Sequence, residues 1–341
     1  MAVNGIPTRL LLAPDKFKGT FSAAQVAGAL ALGLAVGGLE SDLCPVADGG
    51  EGTLEALSAE FGLERLEAEV CDPLGRPARA SFGLGGDGVA VVEMAAASGL
   101  VLVAESERDA VAASTYGTGE LIAAAADAGA SHVYVAAGGS ATTDGGAGAV
   151  QALRERGWSR SRVRSRLTVL CDVRTPFEEA ARVFGPQKGA SEDQVALLSD
   201  RLGRVARGYA RDPHGVPMTG AAGGLAGGLW AQFDAELVSG AVFVLNAVGY
   251  DARMRAARAV ITGEGRLDRS SLVGKAVSEV ATRARQAGVP CHAVAGVNSL
   301  DRFDARILDL QLVLEAGTLE QLQAAGAQIG ELIQSEHDRG R

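Results

Sequence analysis

The stretch Val135-Ala-Ala-Gly-Gly-Ser-Ala-Thr-Thr-Asp-Gly-Gly-Ala-Gly148 joins an apolar, β-prone run, His132 to Ala137, to a glycine-rich turn dense in hydroxyls with one carboxylate. Glycines let a backbone approach a ligand closely and turn its N–H groups toward an anion. Ser140, Thr142 and Thr143 add neutral donors, and Asp144 has the chemistry to hold a metal ion or accept a proton. That combination suits phosphate handling. The competing reading of the same residues is a tight β-to-α turn whose glycines serve packing alone.

Similar acidic or glycine-rich turns recur after other short apolar runs. Leu10–Ala13 leads into Pro14-Asp15-Lys16-Phe17-Lys18-Gly19-Thr20, then into a helical pattern with Ser22 and Gln25 spaced as a capping box and Val26, Leu30 and Leu34 on one face. Cys44–Ala47 leads into Asp48-Gly49-Gly50-Glu51-Gly52-Thr53. Ala259–Thr262 reaches Gly263-Glu264-Gly265-Arg266-Leu267-Asp268, and Gly274–Gln286 reads as a helix. Cys291–Ala295 and Leu310–Leu314 read as further strands, and Leu319–Gln334 as a closing amphipathic helix. Strands alternating with helices imply an α/β fold with a parallel sheet, and ligands in such sheets sit at the carboxyl ends of strands. That rule predicts Asp15, Asp48, Asp144, Asp172 and Glu264 on a common rim, although each alone also suits a turn or helix cap.

The middle of the chain follows a different pattern. Leu66–Glu93 contains short β-like runs with Asp72-Pro73-Leu74-Gly75 and Gly85-Gly86-Asp87-Gly88 as hairpin turns. Gly220-Ala-Ala-Gly-Gly-Leu-Ala-Gly-Gly228 reads either as a phosphate turn or as a helix packed through small residues. The expected architecture is therefore a flavodoxin- or Rossmann-like parallel-sheet domain from both chain ends, residues 1–65 and 240–341. A second α/β domain, residues 66–239, is inserted into it.

Composition narrows the function classes. With 341 residues and 47% apolar content the chain can bury a large core, built mainly from Leu, Val and Ala because aromatics are only 4%. A net charge of −9 disfavours nucleic acid as a partner. The four cysteines, Cys44, Cys71, Cys171 and Cys291, lack any CxxC spacing and read as buried small residues in a reducing compartment. No segment has the layout of a signal peptide or the length of a membrane span, so a soluble cytoplasmic protein is expected. A homodimer is considered, with nothing in the sequence fixing it. Several motifs are absent or misplaced. There is no GxxxxGK[ST] loop, no GxSxG, no HExxH and no kinase HRD/DFG set, and Gly83-x-Gly85-x-x-Gly88 lies between β-like runs where a dinucleotide fingerprint needs a strand and a helix.

Taken together and in order, the motifs resemble the bacterial-type glycerate kinases, which phosphorylate D-glycerate with ATP. The resemblance rests on Ala13–Thr20, Pro45–Thr53, Glu93-Met-Ala-Ala-Ala-Ser-Gly99, Gly117-Thr-Gly-Glu120 and Gly138–Gly148. It continues through Phe184-Gly-Pro-Gln-Lys-Gly-Ala190, Gly220–Gly224, Ile261–Asp268 and Gly274-Lys275. It implies two α/β domains with the site in the cleft between them, ATP as donor, Mg²⁺ as metal and D-glycerate as acceptor. Phosphoryl transfer needs cations and backbone donors around phosphate, carboxylates for the metal and a base for the attacking hydroxyl. On that basis Asp144, Asp48 and Lys18 are the candidate catalytic residues, and Glu51 and Arg266 the candidate substrate contacts. Gly138, Gly139, Ser140, Lys188 and Lys275 are candidates for ATP, and Glu264 and Asp268 for the metal. Asp144 is the leading candidate base.

One stretch departs from the family pattern. Family members usually carry a longer segment between the Gly148 region and Cys171-Asp172-Val173, where this chain has six arginines within residues 154–166. That segment reads as an exposed basic stretch or a shortened loop. It keeps two alternatives open: a kinase of another small hydroxy acid, and a degenerate homologue that binds nucleotide or anion without turnover.

Overall fold

The alternation of apolar runs and amphipathic stretches resolves into strands β1 (Leu10–Pro14), β2 (Ser41–Leu43), β3 (Glu64–Cys71), β4 (Pro77–Leu84), β5 (Val89–Glu93), β6 (His132–Ala136), β7 (Arg166–Cys171), β8 (Glu236–Ser239), β9 (Val260–Leu267), β10 (Cys291–Asn298) and β11 (Leu310–Glu315). They are taken from a computed structural model that describes residues 9–272 and 274–339. The chain divides into two compact units, Met1–Ala47 with Val244–Arg341, and Asp48–Phe243. The first crossing falls at Ala47–Asp48 and not near residue 65. Its cause is local: the helix Thr53–Ser58 begins on β5, where the Leu54 amide donates to Glu93.

The unit built from both chain ends holds a five-stranded sheet in the order β11-β10-β9-β1-β2, with all described pairings parallel. Counted within the unit this is the order 2-1-3-4-5 of flavodoxin-like sheets, whose topological switch point lies between β1 and β9. Leu10, Leu11, Leu12 and Ala13 are fully buried, as an unbroken apolar run in a central parallel strand must be. The capping box at Ser22 and Gln25 forms and starts the helix Ala23–Val36. That helix packs on the closing helix Leu319–Arg339 through Leu30, Leu34, Leu322 and Ile329. The two backbones nearly touch at Gly33, where an added β-carbon would lie 1.9 Å from the Gln323 carbonyl oxygen.

Two strand boundaries differ from the sequence reading. Cys44–Ala47 is not a regular strand, because Pro45 lacks the amide that the ladder needs, although Cys44 and Val46 still donate to Leu12 and Pro14. Gly263-Glu264-Gly265 is not a turn, because β9 stays paired with β10 as far as Leu267 and Asn298.

The inserted unit carries the sheet β3-β4-β5-β6-β7-β8, antiparallel from β3 to β5 and parallel from β5 to β8. Both expected hairpin turns close, and Gly83–Gly88 lies in the β4–β5 hairpin, away from any strand-to-helix junction. Gly117 and Gly119 serve packing: β-carbons there would meet the Cys71 carbonyl oxygen at 1.8 Å and the Ala149 oxygen at 2.6 Å. The ambiguity at Gly220–Gly228 resolves the same way. Gly223 lies against the Thr142 carbonyl, Gly224 and Gly228 lie against Gly145, and the segment is buried.

The arginine-rich stretch is ion-paired. Arg156 and Arg164 share Asp127, Arg160 pairs with Asp234, and Arg166 pairs with Glu236. These surface pairs contribute little each, about 0–1 kcal/mol, and three acids offset only part of the positive charge of the segment. The four cysteines are free, and among the described residues no helix is long and apolar enough to cross a membrane.

Replacing Gly33 with valine should force the two helices apart and lower stability by about 1–3 kcal/mol. Urea unfolding followed by circular dichroism would show a lower midpoint; an unchanged midpoint contradicts this account of the crossing.

Candidate active site

In the inserted unit the loop after β6 is shaped by contacts that only glycine permits. Gly138 lies against Gly50, so a β-carbon on Gly138 would come 2.6 Å from the Gly50 Cα. The Gly138 amide donates to the Gly49 carbonyl, and Gly49 (φ +94°) in turn lies against Leu170 and Gly240. These contacts seat the Asp48-Gly-Gly-Glu turn at the carboxyl ends of β6, β7 and β8. They bring three carboxylates to that edge. Asp48 Oδ1 is 3.3 Å from where a Gly50 β-carbon would be, Asp172 Oδ2 is 3.4 Å from the same point on Gly138, and Glu51 Oε1 is 2.8 Å from it on Gly139.

Beyond the glycines, the loop is tied down by two charged side chains. Asp144 is 1% exposed and accepts four hydrogen bonds. They come from the Thr115 amide at 2.9 Å, the Thr115 hydroxyl at 2.8 Å, the Gly146 amide at 3.0 Å and the Gly148 amide at 3.1 Å. It sits at the start of the helix Ala147–Glu155, where negative charge is favoured. Lys188 is 2% exposed, and its ammonium donates to Ser140 Oγ at 2.8 Å and to the Thr142 carbonyl. Burial pulls this ammonium down to about 7, while Asp144 and Asp172 nearby oppose the shift. The Thr142 and Thr143 hydroxyls are buried with no hydrogen-bond partner.

Asp48, Glu51, Gly138, Gly139, Ser140, Asp144, Asp172 and Lys188 therefore belong to one connected group. The flavodoxin-like unit carries the other sequence candidates. Asp15 follows β1 and donates its amide to Gly263 O, so the register sets Asp15 beside Glu264 at the switch point. The chain at Phe17 and Lys18 lies on Gly265, whose β-carbon would be 3.0 Å from the Lys18 amide nitrogen. Lys18 and Arg266 are exposed and Lys275 is half-buried. Asp268 is occupied in its own turn: it accepts from the Ser270 hydroxyl at 2.6 Å and amide at 2.8 Å. The hydroxyl bond, against the opposing effect of burial, holds its carboxyl below the ordinary carboxylate value. The strand register sets Glu264 beside Asp15, while Asp268 follows the end of β9.

Sequence reasoning did not single out Thr115, which makes two of the four bonds to Asp144. The two residues are 29 positions apart, and no local spacing could have linked them. Among the described residues no cluster of three or more His, Cys, Asp or Glu side chains is arranged to hold a metal ion.

Two outcomes follow from this geometry. In Asp144→Asn an amide NH₂ would have to face N–H and O–H donors, which should cost about 1–3 kcal/mol of stability. Equal unfolding midpoints for the variant and the parent would refute the four-donor account. Lys188 binds its proton less tightly in the fold than in the unfolded chain, where its value is the ordinary 10.5. Between about pH 7 and 10.5 the unfolded chain holds the extra proton, so stability from this residue rises with pH. The stability of the parent relative to Lys188→Met should climb across that window; a difference independent of pH would sink the assignment.

Comparison with known proteins places this arrangement in a family. The model of the Glycerate kinase family matches residues 10–161 and 155–335, and the two matched stretches meet within the arginine-rich segment. A glycerate kinase of Bacillus subtilis is 40% identical over 331 residues, covering 86% of this chain and 86% of that protein. Glycerate 2-kinase of Escherichia coli is 39% identical over 324 residues, covering 84% and 85%. A solved structure from Salmonella typhimurium, provisionally assigned as glycerate kinase 2, superposes with a TM-score of 0.79 at 32% identity, covering 97% of this chain and 100% of that one. The family model and these relatives each cover most of the chain, which belongs to the glycerate kinase family.

Proposed function

We propose that this protein transfers the γ-phosphoryl group of ATP directly to a hydroxyl of D-glycerate, giving phosphoglycerate and ADP. The observation that carries the reading is the connected group at Gly138–Asp144, Asp48–Glu51 and Lys188, which offers cation, backbone and carboxylate within family motifs. Chemistry of this kind depends on positioning and on charge stabilisation more than on covalent participation by the protein.

Roles follow from where each group stands in the loop and at the sheet edge. The Asp144 carboxylate is committed to four donors, so its part is to hold the loop. Asp48, 7% exposed at the carboxyl edge of the sheet, is the better candidate to take the proton of the attacking hydroxyl. Glu51 and Asp172 orient hydroxyls by accepting from them. In the other unit Lys18, Arg266 and Lys275 supply positive charge near the glycine-lined ends of β9, where phosphate oxygens would be met. The name of the E. coli relative favours the hydroxyl at C2.

The donor set also suits a magnesium ion. Asp15 and Glu264 are adjacent hard oxygen ligands, and Mg²⁺ typically takes one or two carboxylates and fills its remaining positions with water and phosphate oxygens. When bound, such an ion neutralises charge on the phosphate oxygens.

Purified protein incubated with ATP, Mg²⁺ and D-glycerate should release ADP and phosphoglycerate, and phosphorus NMR of the product reports which oxygen was phosphorylated. Folded protein that is stabilised by nucleotide yet releases no ADP would favour the degenerate-homologue reading. Turnover that is faster on another C3–C4 hydroxy acid would move the substrate assignment. Asp48→Asn should lower kcat by about two orders of magnitude or more.

A further inference from the structure

We infer that the two ligands are divided between the units: the acceptor acid is held by the inserted unit, its carboxylate on Lys188 and Ser140, and the nucleotide phosphates are held at the β1/β9 switch point. This rests on the kinase reading above and deepens it by assigning a ligand to each group of residues.

The first argument is charge. In the inserted unit Asp144 and Asp172 lie near one buried cation, Lys188, and Asp48 and Glu51 lie on the turn packed against the same loop. A polyphosphate brought to that edge would meet more negative charge than positive. A small hydroxy acid carries a single negative charge, for Lys188, and hydroxyl donors for carboxylates that accept. The second argument is capacity. An ammonium has three N–H groups, and two of those on Lys188 have described acceptors, Ser140 Oγ and Thr142 O. Ser140 is half-buried on the same loop and has a hydroxyl proton of its own to donate. One carboxylate oxygen pair matches these two donors.

The flavodoxin-like unit has the opposite balance. Lys16, Lys18, Arg266 and Lys275 accompany Asp15, Glu264 and Asp268, four positive side chains against three negative. Gly263, Gly265 and Gly296 let neighbouring backbone pack closely here, and the Phe17–Lys18 segment is thereby held on β9 with the Lys18 side chain exposed. A switch point flanked by cations is where an α/β sheet receives a phosphate-bearing ligand.

The test uses the full-length protein and needs no turnover. Hydrogen exchange is followed with saturating D-glycerate alone and with a non-hydrolysable ATP analogue alone. D-glycerate should protect amides in 138–144 and 186–190, and the analogue those in 15–20 and 263–268. The reverse pattern, or no protection of 138–144 by D-glycerate, overturns the inference. Steady-state kinetics adds a second readout. Lys188→Met and Ser140→Ala should each raise KM for D-glycerate by about tenfold or more with KM for ATP little changed, as loss of a charge-assisted contact implies. Lys18→Met should raise KM for ATP instead. If Lys188→Met raises KM for ATP and leaves that for D-glycerate alone, the inference fails while the kinase reading stands. If the unaltered protein forms no phosphoglycerate, the kinase reading fails, and the exchange pattern still decides which unit takes the acid.

Discussion

The inserted unit depends on one buried carboxylate being fully satisfied. Asp144 collects two donors from Thr115 and two amides from its own turn, and this fixes where the loop after β6 ends and the next helix begins. An ionised group with almost no exposure is tolerable only when its oxygens are all occupied. Lys188 completes the arrangement from the opposite sign, holding the loop at Ser140 and Thr142. The loop at the carboxyl edge is therefore held by two side chains of opposite character that themselves touch little solvent.

Glycine has a second role around that pair, and it is steric. Gly138 against Gly50, Gly223 against Thr142 and Gly224 against Gly145 are approaches that any β-carbon would block. They let three separate chain segments converge behind the loop with no side chain between them. The high glycine content is thus used largely for contact between backbones, with the ligand-facing turns as a smaller part. Reading Gly220–Gly228 as a phosphate turn misses this, because the sequence pattern for bare backbone facing a ligand is the same as for bare backbone facing a neighbour.

Much of the fold was legible because the parallel strands carry short, largely apolar runs. Leu10–Ala13, Cys291–Ala295 and Leu310–Leu314 mark strands directly, and Ser22 with Gln25 marks a helix start through local hydrogen bonds. Errors arose where pairing at long range overrode a local signal. Gly263-Glu264-Gly265 looks like a turn, yet β10 keeps it extended. Partnerships at long range were not legible. Nothing adjacent in sequence says that Asp144 is bound by Thr115 or that Glu264 stands beside Asp15. The arginine-rich stretch is exposed, as its composition says, but its ion-pair partners Asp127, Asp234 and Glu236 could not be read locally.

The order of strands in the flavodoxin-like sheet bears on how the chain reaches its native state during synthesis. β1 lies between β2 and β9, and the Thr262 hydroxyl donates to a carbonyl 249 residues earlier, at Ala13. The continuous segment Asp48–Phe243 contains every strand of its own sheet and is free to fold as it emerges from the ribosome. β1, entirely apolar, must wait until the last third of the polypeptide has been made. β2 is made early and can cover one edge, but until β9 is made the edge that it will occupy is a liability for aggregation, and early shielding of residues 10–14 by chaperones would relieve it.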